Sequence, residues 1–166
     1  VVLCGNLSLR LSVAEDAEDL FALAAGYYNQ QRWVAAADKM SELLETYPEH
    51  ERAAEAAFYR GEALMQTGDY RRAVDQFNCL LDQWPDHLRR AHATFRVGEA
   101  SYLVGNYEES ESALRKFVKT FSQDSLAEFA YPYLGEIAVA DRRWQQAQRD
   151  FEFALKQWPA GEMSER

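Results

Sequence analysis

The sequence repeats itself every 37 residues over almost its whole length, and this period constrains the fold more than any other feature. Four columns of matching residues define the register. They are Trp33, Tyr70, Tyr107 and Trp144; Tyr47, Trp84, Phe121 and Trp158; Met40, Phe77, Leu114 and Phe151; and Pro48, Pro85, Ser122 and Pro159. A period of roughly 20–50 residues is typical of proteins built from stacked supersecondary units, so the chain is expected to form a repeat array.

Each repeat is predicted to contain two helices, A and B. Apolar residues from 70 to 84 fall three or four positions apart, which indicates a helix with one buried stripe. The segment 57–65 shows the same spacing, and Thr67-Gly68-Asp69 between the two predicts a short turn. A proline closes helix B in three repeats, because its ring removes a backbone donor and collides with the preceding turn.

The small and aromatic positions resemble the tetratricopeptide signature. Gly61, Ala73, Phe77 and Pro85 stand at the offsets of its small-residue, Ala, Phe and Pro positions. The matching residues are Ala24, Ala36, Met40 and Pro48 in the first repeat, Gly98, Ser110, Leu114 and Ser122 in the third, and Gly135, Ala147, Phe151 and Pro159 in the fourth. The resemblance implies an all-α, right-handed α-solenoid of four helix-turn-helix repeats.

The predicted organisation follows from the register. The repeats are expected at about 14–48, 52–85, 89–122 and 125–159, with helices near 14–31, 33–47, 52–67, 70–84, 89–104, 107–121, 125–140 and 144–158. Residues 1–13 are expected to be an extension or the remnant of a signal or linker, and 160–166 a polar tail. Close helix crossings are expected to pair the small residues Gly61 with Ala73, Gly98 with Ser110, and Gly135 with Ala147.

A 37-residue unit, the phrase Gly61-Glu62-Ala63, and Phe77 to Leu81 followed by Gln83-Trp84-Pro85 resemble one branch of this family. They are similar to the bacterial cell-envelope repeats of the Tol-Pal system coordinator and of the lipoprotein in the outer-membrane β-barrel assembly machinery. This similarity implies a scaffold in the periplasm or cell envelope. A cytoplasmic location is the alternative.

Charge and motifs exclude several classes of function. A formal net charge of −9 repels nucleic-acid phosphates, so no nucleic-acid partner is expected. No apolar run reaches the roughly 18 residues of a membrane span. Cys4 and Cys79 lack metal-ligand spacing, and His50 and His87 occupy equivalent loops without a convergent partner. With no phosphate loop, catalytic triad or HExxH motif, we expect no enzyme, no metal and no cofactor.

The resemblance also implies a binding surface, because the A helices of tetratricopeptide repeats line a concave face. A neutral to basic protein or peptide is the expected partner, since this face would be aromatic with one glutamate in each of the second, third and fourth repeats. We call Glu62, Glu99 and Glu136 the glutamate column; about half of the aromatic residues are expected to be core instead. The candidate residues are Phe21, Tyr28, Asn29, Phe58, Tyr59, Glu62, Met65, Gln66, Phe95, Arg96, Glu99, Tyr102, Phe129, Tyr133, Glu136 and Val139.

Two functional hypotheses are compatible with these features of the sequence. The first is a non-catalytic scaffold that binds an extended segment or a partner subunit on the A helices. The alternative is a docking or dimerisation module from a larger enzyme or regulator. Uncapped apolar residues on the last helix B, Phe151, Leu155 and Trp158, also suggest self-association through the repeat ends.

Overall fold

A computed structural model describes the backbone of residues 3–159 and the side chains from residue 15 onward. This part of the chain consists of helices joined by short turns and contains no strand, which confirms the predicted all-α class. The helices are α1 (Leu3–Asn29), α2 (Trp33–Thr46), α3 (Ala53–Thr67), α4 (Tyr70–Gln83), α5 (Arg90–Val104), α6 (Tyr107–Thr120), α7 (Ala127–Ala140) and α8 (Trp144–Gln157). Odd-numbered helices are the A helices and even-numbered helices the B helices.

Helices α2 to α8 begin and end within one turn of their predicted positions. The first helix differs, because it begins at Leu3 and not near Ala14. No proline interrupts residues 3–29, so nothing in the sequence stops the helix from extending backwards. The helix therefore includes most of the segment 1–13, whose role as an extension or remnant stays a prediction. The predicted tail 160–166 lies outside the described residues.

The chain divides into two compact units, Val1–Trp84 and Pro85–Arg166. In the first unit α1 packs against α2, α2 against α3, and α3 against α4. In the second unit the same order holds for α5, α6, α7 and α8. Each unit is thus two successive helix hairpins, with the B helix of the first hairpin against the A helix of the second.

Small and large apolar residues alternate in the core of each unit. The first unit contains a buried cluster of Ala24, Met40, Leu43 and Ala56. The corresponding cluster of the second unit is Phe95, Leu114, Phe117, Ala127, Ala130, Leu134 and Ile137. An alanine of the following A helix lies in each cluster beside large residues of the preceding B helix, and this packing holds the two hairpins of a unit together.

Gly61, Gly98 and Gly135 on the A helices are sites of close approach. The predicted pair of the third repeat is in contact, because the Ser110 hydroxyl donates to the carbonyl oxygen of Gly98 at 2.7 Å. A Cβ atom built on Gly98 would lie 2.5 Å from Cγ of Leu114, and one on Gly61 would lie 2.6 Å from Cε1 of Phe77. At Gly135 the nearest atom is Cε1 of Phe151, at 2.5 Å. The glycines therefore make room for the large side chain one turn beyond the predicted alanine or serine column, because that side chain points back across the helix pair.

The turn inside each hairpin requires a left-handed residue at the same repeat position. Gly68 and Gly105 have φ angles of 78° and 84° there, while Gln31 and Arg142 hold 58° and 59° at the equivalent positions. A residue with a Cβ atom is strained in this conformation, whereas glycine is not. The first and fourth repeats therefore carry a local strain that the second and third lack.

Candidate partner-binding site

The structure separates the predicted site residues into exposed and buried groups. Phe58, Glu62 and Phe95 are buried, with 2%, 6% and 2% of their surface exposed. The two phenylalanines pack against their own helix B, with ring centroids 5.9 Å from Phe77 and 5.6 Å from Phe117. Phe58 and Phe95 were expected on an open face, but both lie in the core. The half-buried or exposed residues are Tyr28, Asn29, Tyr59, Gln66, Arg96, Glu99, Tyr102, Tyr133 and Glu136.

The first unit brings three aromatic rings together, from the end of α1, the start of α2 and the middle of α3. Tyr28 on α1 meets Tyr59 on α3 at 5.1 Å between ring centroids, and Trp33 on α2 at 5.0 Å. Both contacts are edge-to-face, the geometry that aromatic quadrupoles favour. We call Tyr28, Trp33 and Tyr59 the first aromatic triad.

The second unit repeats this arrangement two repeats later in the sequence. Tyr102 on α5 lies 5.0 Å from Tyr133 on α7 and 5.5 Å from Tyr107 on α6, measured between centroids. We call these residues the second aromatic triad. Tyr107 was not predicted as a site residue, although it belongs to the aromatic column that opens every helix B. That column was a usable signal for the third ring of each triad.

Two tyrosine–glutamate hydrogen bonds cross between α5 and α7 beside the second triad. The Tyr102 hydroxyl donates to Oε2 of Glu136 at 2.6 Å. In the opposite direction, the Tyr133 hydroxyl donates to Oε1 of Glu99 at 3.2 Å. Each A helix thus supplies one tyrosine and one carboxylate, and the two hydrogen bonds hold the rings of Tyr102 and Tyr133 in the second triad.

The pKa values of both tyrosines rise at this crossing. The hydrogen bond to Glu136, followed by burial, raises the pKa of Tyr102 to about 12. Burial, together with the charge of Glu99 and its hydrogen bond, raises the pKa of Tyr133. Both hydroxyls therefore stay protonated at neutral pH and act as donors towards the glutamates.

The three carboxylates of the glutamate column differ in burial and in their partners. Glu62 is buried, and Glu99 accepts from Tyr133 on one oxygen and from Nη1 of Arg96, at 2.5 Å, on the other. Glu136 is exposed and forms no ion pair with the described side chains. Of the three carboxylates, Glu136 is therefore the one that a basic group from outside can reach with the least competition.

The histidine loops have a local structural role. Nδ1 of His50 accepts the backbone N–H of Arg52 at 3.2 Å, and Nδ1 of His87 accepts that of Arg89 at 3.3 Å. Asp124 at the same repeat position accepts the backbone N–H of Leu126 at 2.9 Å. These bonds close the turn that leads into the next A helix. Among the described residues, no group of three or more histidine, cysteine or acidic side chains converges as a metal site.

A comparison with family models identifies the family of the chain. Residues 50–156 match the model YfiO, described as an outer membrane lipoprotein. Residues 20–50 match a tetratricopeptide repeat model. The chain belongs to the YfiO family. Within the residues that the structure describes, no helix of this YfiO-family chain is both long and apolar enough to cross a membrane. No match was found among curated proteins.

Solved structures with the same fold include several repeat proteins. MamA (41-end) from Desulfovibrio magneticus RS-1 aligns with a TM-score of 0.73 at 18% identity, over 88% of this chain and 77% of its own. A tetratricopeptide repeat protein from Parabacteroides merdae ATCC 43184 gives 0.75 at 11%, over 89% and 56%. The apo form of RapI gives 0.74 at 16%, over 90% and 44%. The YfiO-family chain therefore has the tetratricopeptide-type α-solenoid fold, which is generally that of protein-interaction scaffolds.

Proposed function

We propose that this YfiO-family chain is a non-catalytic scaffold that binds an extended segment of a partner protein along its A helices. The observation that carries the proposal is the recurrence of the aromatic triad, as Tyr28, Trp33 and Tyr59 in the first unit and as Tyr102, Tyr107 and Tyr133 in the second. Partly exposed aromatic rings offer a large contact area with few rotatable bonds to immobilise.

The chemistry of the partner follows from what surrounds the rings. Glu136 is exposed beside Tyr102, so a lysine or arginine of the bound segment gains both a carboxylate and an aromatic ring there. Val139 stands one turn further along α7 and is 41% exposed, in reach of the aliphatic part of such a side chain. Asn29 and Gln66 are exposed near the ends of α1 and α3, where they can bond to a peptide backbone. The segment is accordingly neutral to basic.

The place of action is proposed to be the bacterial cell envelope. The support for this is the family description, outer membrane lipoprotein, together with the likeness of the repeats to envelope scaffolds. The alternative of a docking module within a larger enzyme predicts that cross-links form with a catalytic domain of the same polypeptide.

Site-specific photocross-linking in the native organism tests the proposal. Cross-linkers at Gln66 and Val139 lie on A helices, and matched controls at Asp75 and Glu152 lie at exposed positions of B helices. We expect one discrete adduct with an envelope protein from both A-helix positions and none from the controls. Equal adducts from all four positions, or adducts only from the B helices, would contradict binding along the A helices.

A further inference from the structure

A second surface, away from the aromatic triads, lies between α1 and α2 of the first unit. It is an open depression with a volume of about 300 Å³, lined by Asp16, Asp19, Leu20, Leu23, Glu42 and Tyr47. Leu23 is 45% exposed there, and Asp16 and Asp19 are exposed. The surface therefore combines an apolar floor with an acidic rim.

The repeat register shows what normally covers this face of an A helix. Asp19 occupies the column of Ala56, Ala93 and Ala130, all of which are fully buried. Ala56 lies in the cluster with Met40 and Leu43 of α2. In the second unit Ala130 lies in the cluster with Leu114 and Phe117 of α6. In both units the covering element is a helix, so the register places Asp19 on the side of α1 that corresponds to a helix-packing side in later repeats.

The fourth repeat shows what fills the depression itself. The positions of Leu20, Glu42 and Tyr47 correspond there to Tyr131, Phe153 and Trp158. The ring of Tyr131 lies 4.5 Å from that of Phe153 and 6.0 Å from that of Trp158, measured between centroids. An aromatic ring thus occupies in the fourth repeat the space that Glu42 leaves open in the first. An apolar side chain from outside can fill the same volume.

The charges around the depression determine which charged residues a docked helix should carry beside its apolar residue. Glu42 is paired with Nζ of Lys39 at 2.6 Å, whereas Asp16 and Asp19 form no ion pair with any described side chain. Two carboxylates at a helix interface are costly to bury unless cations meet them. We infer that this depression docks an amphipathic helix of a partner protein, with an apolar residue among Leu20, Leu23 and Tyr47 and with lysine or arginine facing Asp16 and Asp19.

This docking site is independent of the A-helix site proposed above, and the competing explanation is a polar cap that only keeps α1 in water. A synthetic amphipathic helix of leucine and lysine is the probe, and the same helix with glutamate for lysine is its control. Binding is followed by chemical-shift mapping on isotopically labelled protein. We expect saturable binding of the leucine–lysine helix alone, with the largest shifts around Leu20, Leu23 and Tyr47.

Charge reversal separates the site from general attraction to an acidic protein. Asp16→Lys with Asp19→Lys should weaken binding about tenfold or more, whereas Asp75→Lys with Asp82→Lys, the same charge change at exposed positions of α4, should change it little. Asp16→Asn with Asp19→Asn repeats the test with a milder change. The inference is overturned by absent binding to the wild type, by shifts centred elsewhere, or by equal losses in the two charge-reversal pairs.

Discussion

The hydroxyl of Tyr102 on α5 lies 2.6 Å from the carboxylate of Glu136 on α7 and donates a hydrogen bond to it. Together with the bond from Tyr133 to Glu99, it links the two A helices of the second unit in both directions. These two hydrogen bonds hold the rings of Tyr102 and Tyr133 in the second aromatic triad, and Glu136 remains exposed beside them. The same side chains therefore stabilise the unit and form part of the surface that we propose binds a partner.

Alkaline pH should weaken the second unit through these tyrosines. The folded-state pKa of Tyr102 is about 12, above the ordinary tyrosine value of 10.0, so the stabilisation is fully present below pH 10 and is lost as pH rises towards 12. The pKa of Tyr133 shifts in the same direction. Urea unfolding across this pH range should show the loss, and Tyr102→Phe with Tyr133→Phe should flatten the dependence. An unchanged slope in the double variant would contradict the crossed hydrogen bonds.

Gly98→Leu should destabilise the protein by about 1–3 kcal/mol or more, because even a Cβ atom at this position lies 2.5 Å from Leu114. Gly26→Ala is the matched control within a helix. A Cβ atom there meets nothing within 4 Å, so the change should stabilise by about 0.5–1 kcal/mol. Thermal melting of both variants decides, and equal midpoints would refute the described packing of α5 on α6.

Arg142→Gly should stabilise the fourth repeat by about 1 kcal/mol, because residue 142 holds a left-handed φ of 59° that glycine adopts without strain. Gly105→Ala is the reverse change at the same position of the third repeat. It should destabilise the protein, since alanine is strained at the φ of 84° that Gly105 holds. Chemical denaturation measures both. If the two changes shift stability in the same direction, the turn conformation is wrong.

The buried carboxylate of Asp150 should be needed to pair α6 with α8. Asp150 is 4% exposed and accepts two hydrogen bonds from Arg115, at 2.8 Å and 2.5 Å. Asp150→Ala leaves the half-buried guanidinium without this partner and should cost about 1–3 kcal/mol in urea unfolding. Glu152→Ala, at an exposed position two residues further on, is the control and should cost much less. Equal losses would show that the Arg115 pair contributes nothing specific.

The sequence predicts the helices well because their boundaries depend on local patterns. The column from Trp33 to Trp144 marks where each helix B begins, and apolar spacing with a turn or a proline marks where the helices end. The start of α1 was missed because no residue signals it: the helix continues backwards past Ala14 without a cap or a break.

The contacts of the candidate site could not be predicted from the columns. Equivalent residues recur every 37 positions, but the crossed pairs Tyr102–Glu136 and Tyr133–Glu99 join residues 34 apart. The offset of 34 arises because side chains lean along packed helices. The repeat register gives the positions of residues but not the directions of their side chains. The same limit explains Phe58 and Phe95, whose burial depends on the rings of Phe77 and Phe117 across each hairpin.

The glutamate column shows why a repeated residue type is not a repeated function. Glu62 is buried and Glu99 is paired, so charge reversal at either position would test folding as much as binding. Glu136→Lys is the more informative change, because its side chain is exposed and forms no ion pair with the described side chains. Tyr102→Phe removes the same Tyr102–Glu136 hydrogen bond but keeps the carboxylate, and so accounts for the structural part of the effect. Glu136→Lys should slow association with a basic segment and reduce the dependence of the rate on ionic strength, and Glu108→Lys on the exposed start of α6 is the control. Stopped-flow kinetics compare the two.

Calorimetric titration of the segment captured by cross-linking, against the wild type, Tyr59→Ala and Tyr102→Ala, tests the central claim most directly. Each variant removes one ring from an aromatic triad and must keep the helical circular-dichroism spectrum of the wild type. We predict that each loses on the order of 2 kcal/mol or more of binding free energy, while Asp75→Ala on α4 binds like the wild type. Unchanged affinity in both folded tyrosine variants would contradict binding along the A helices.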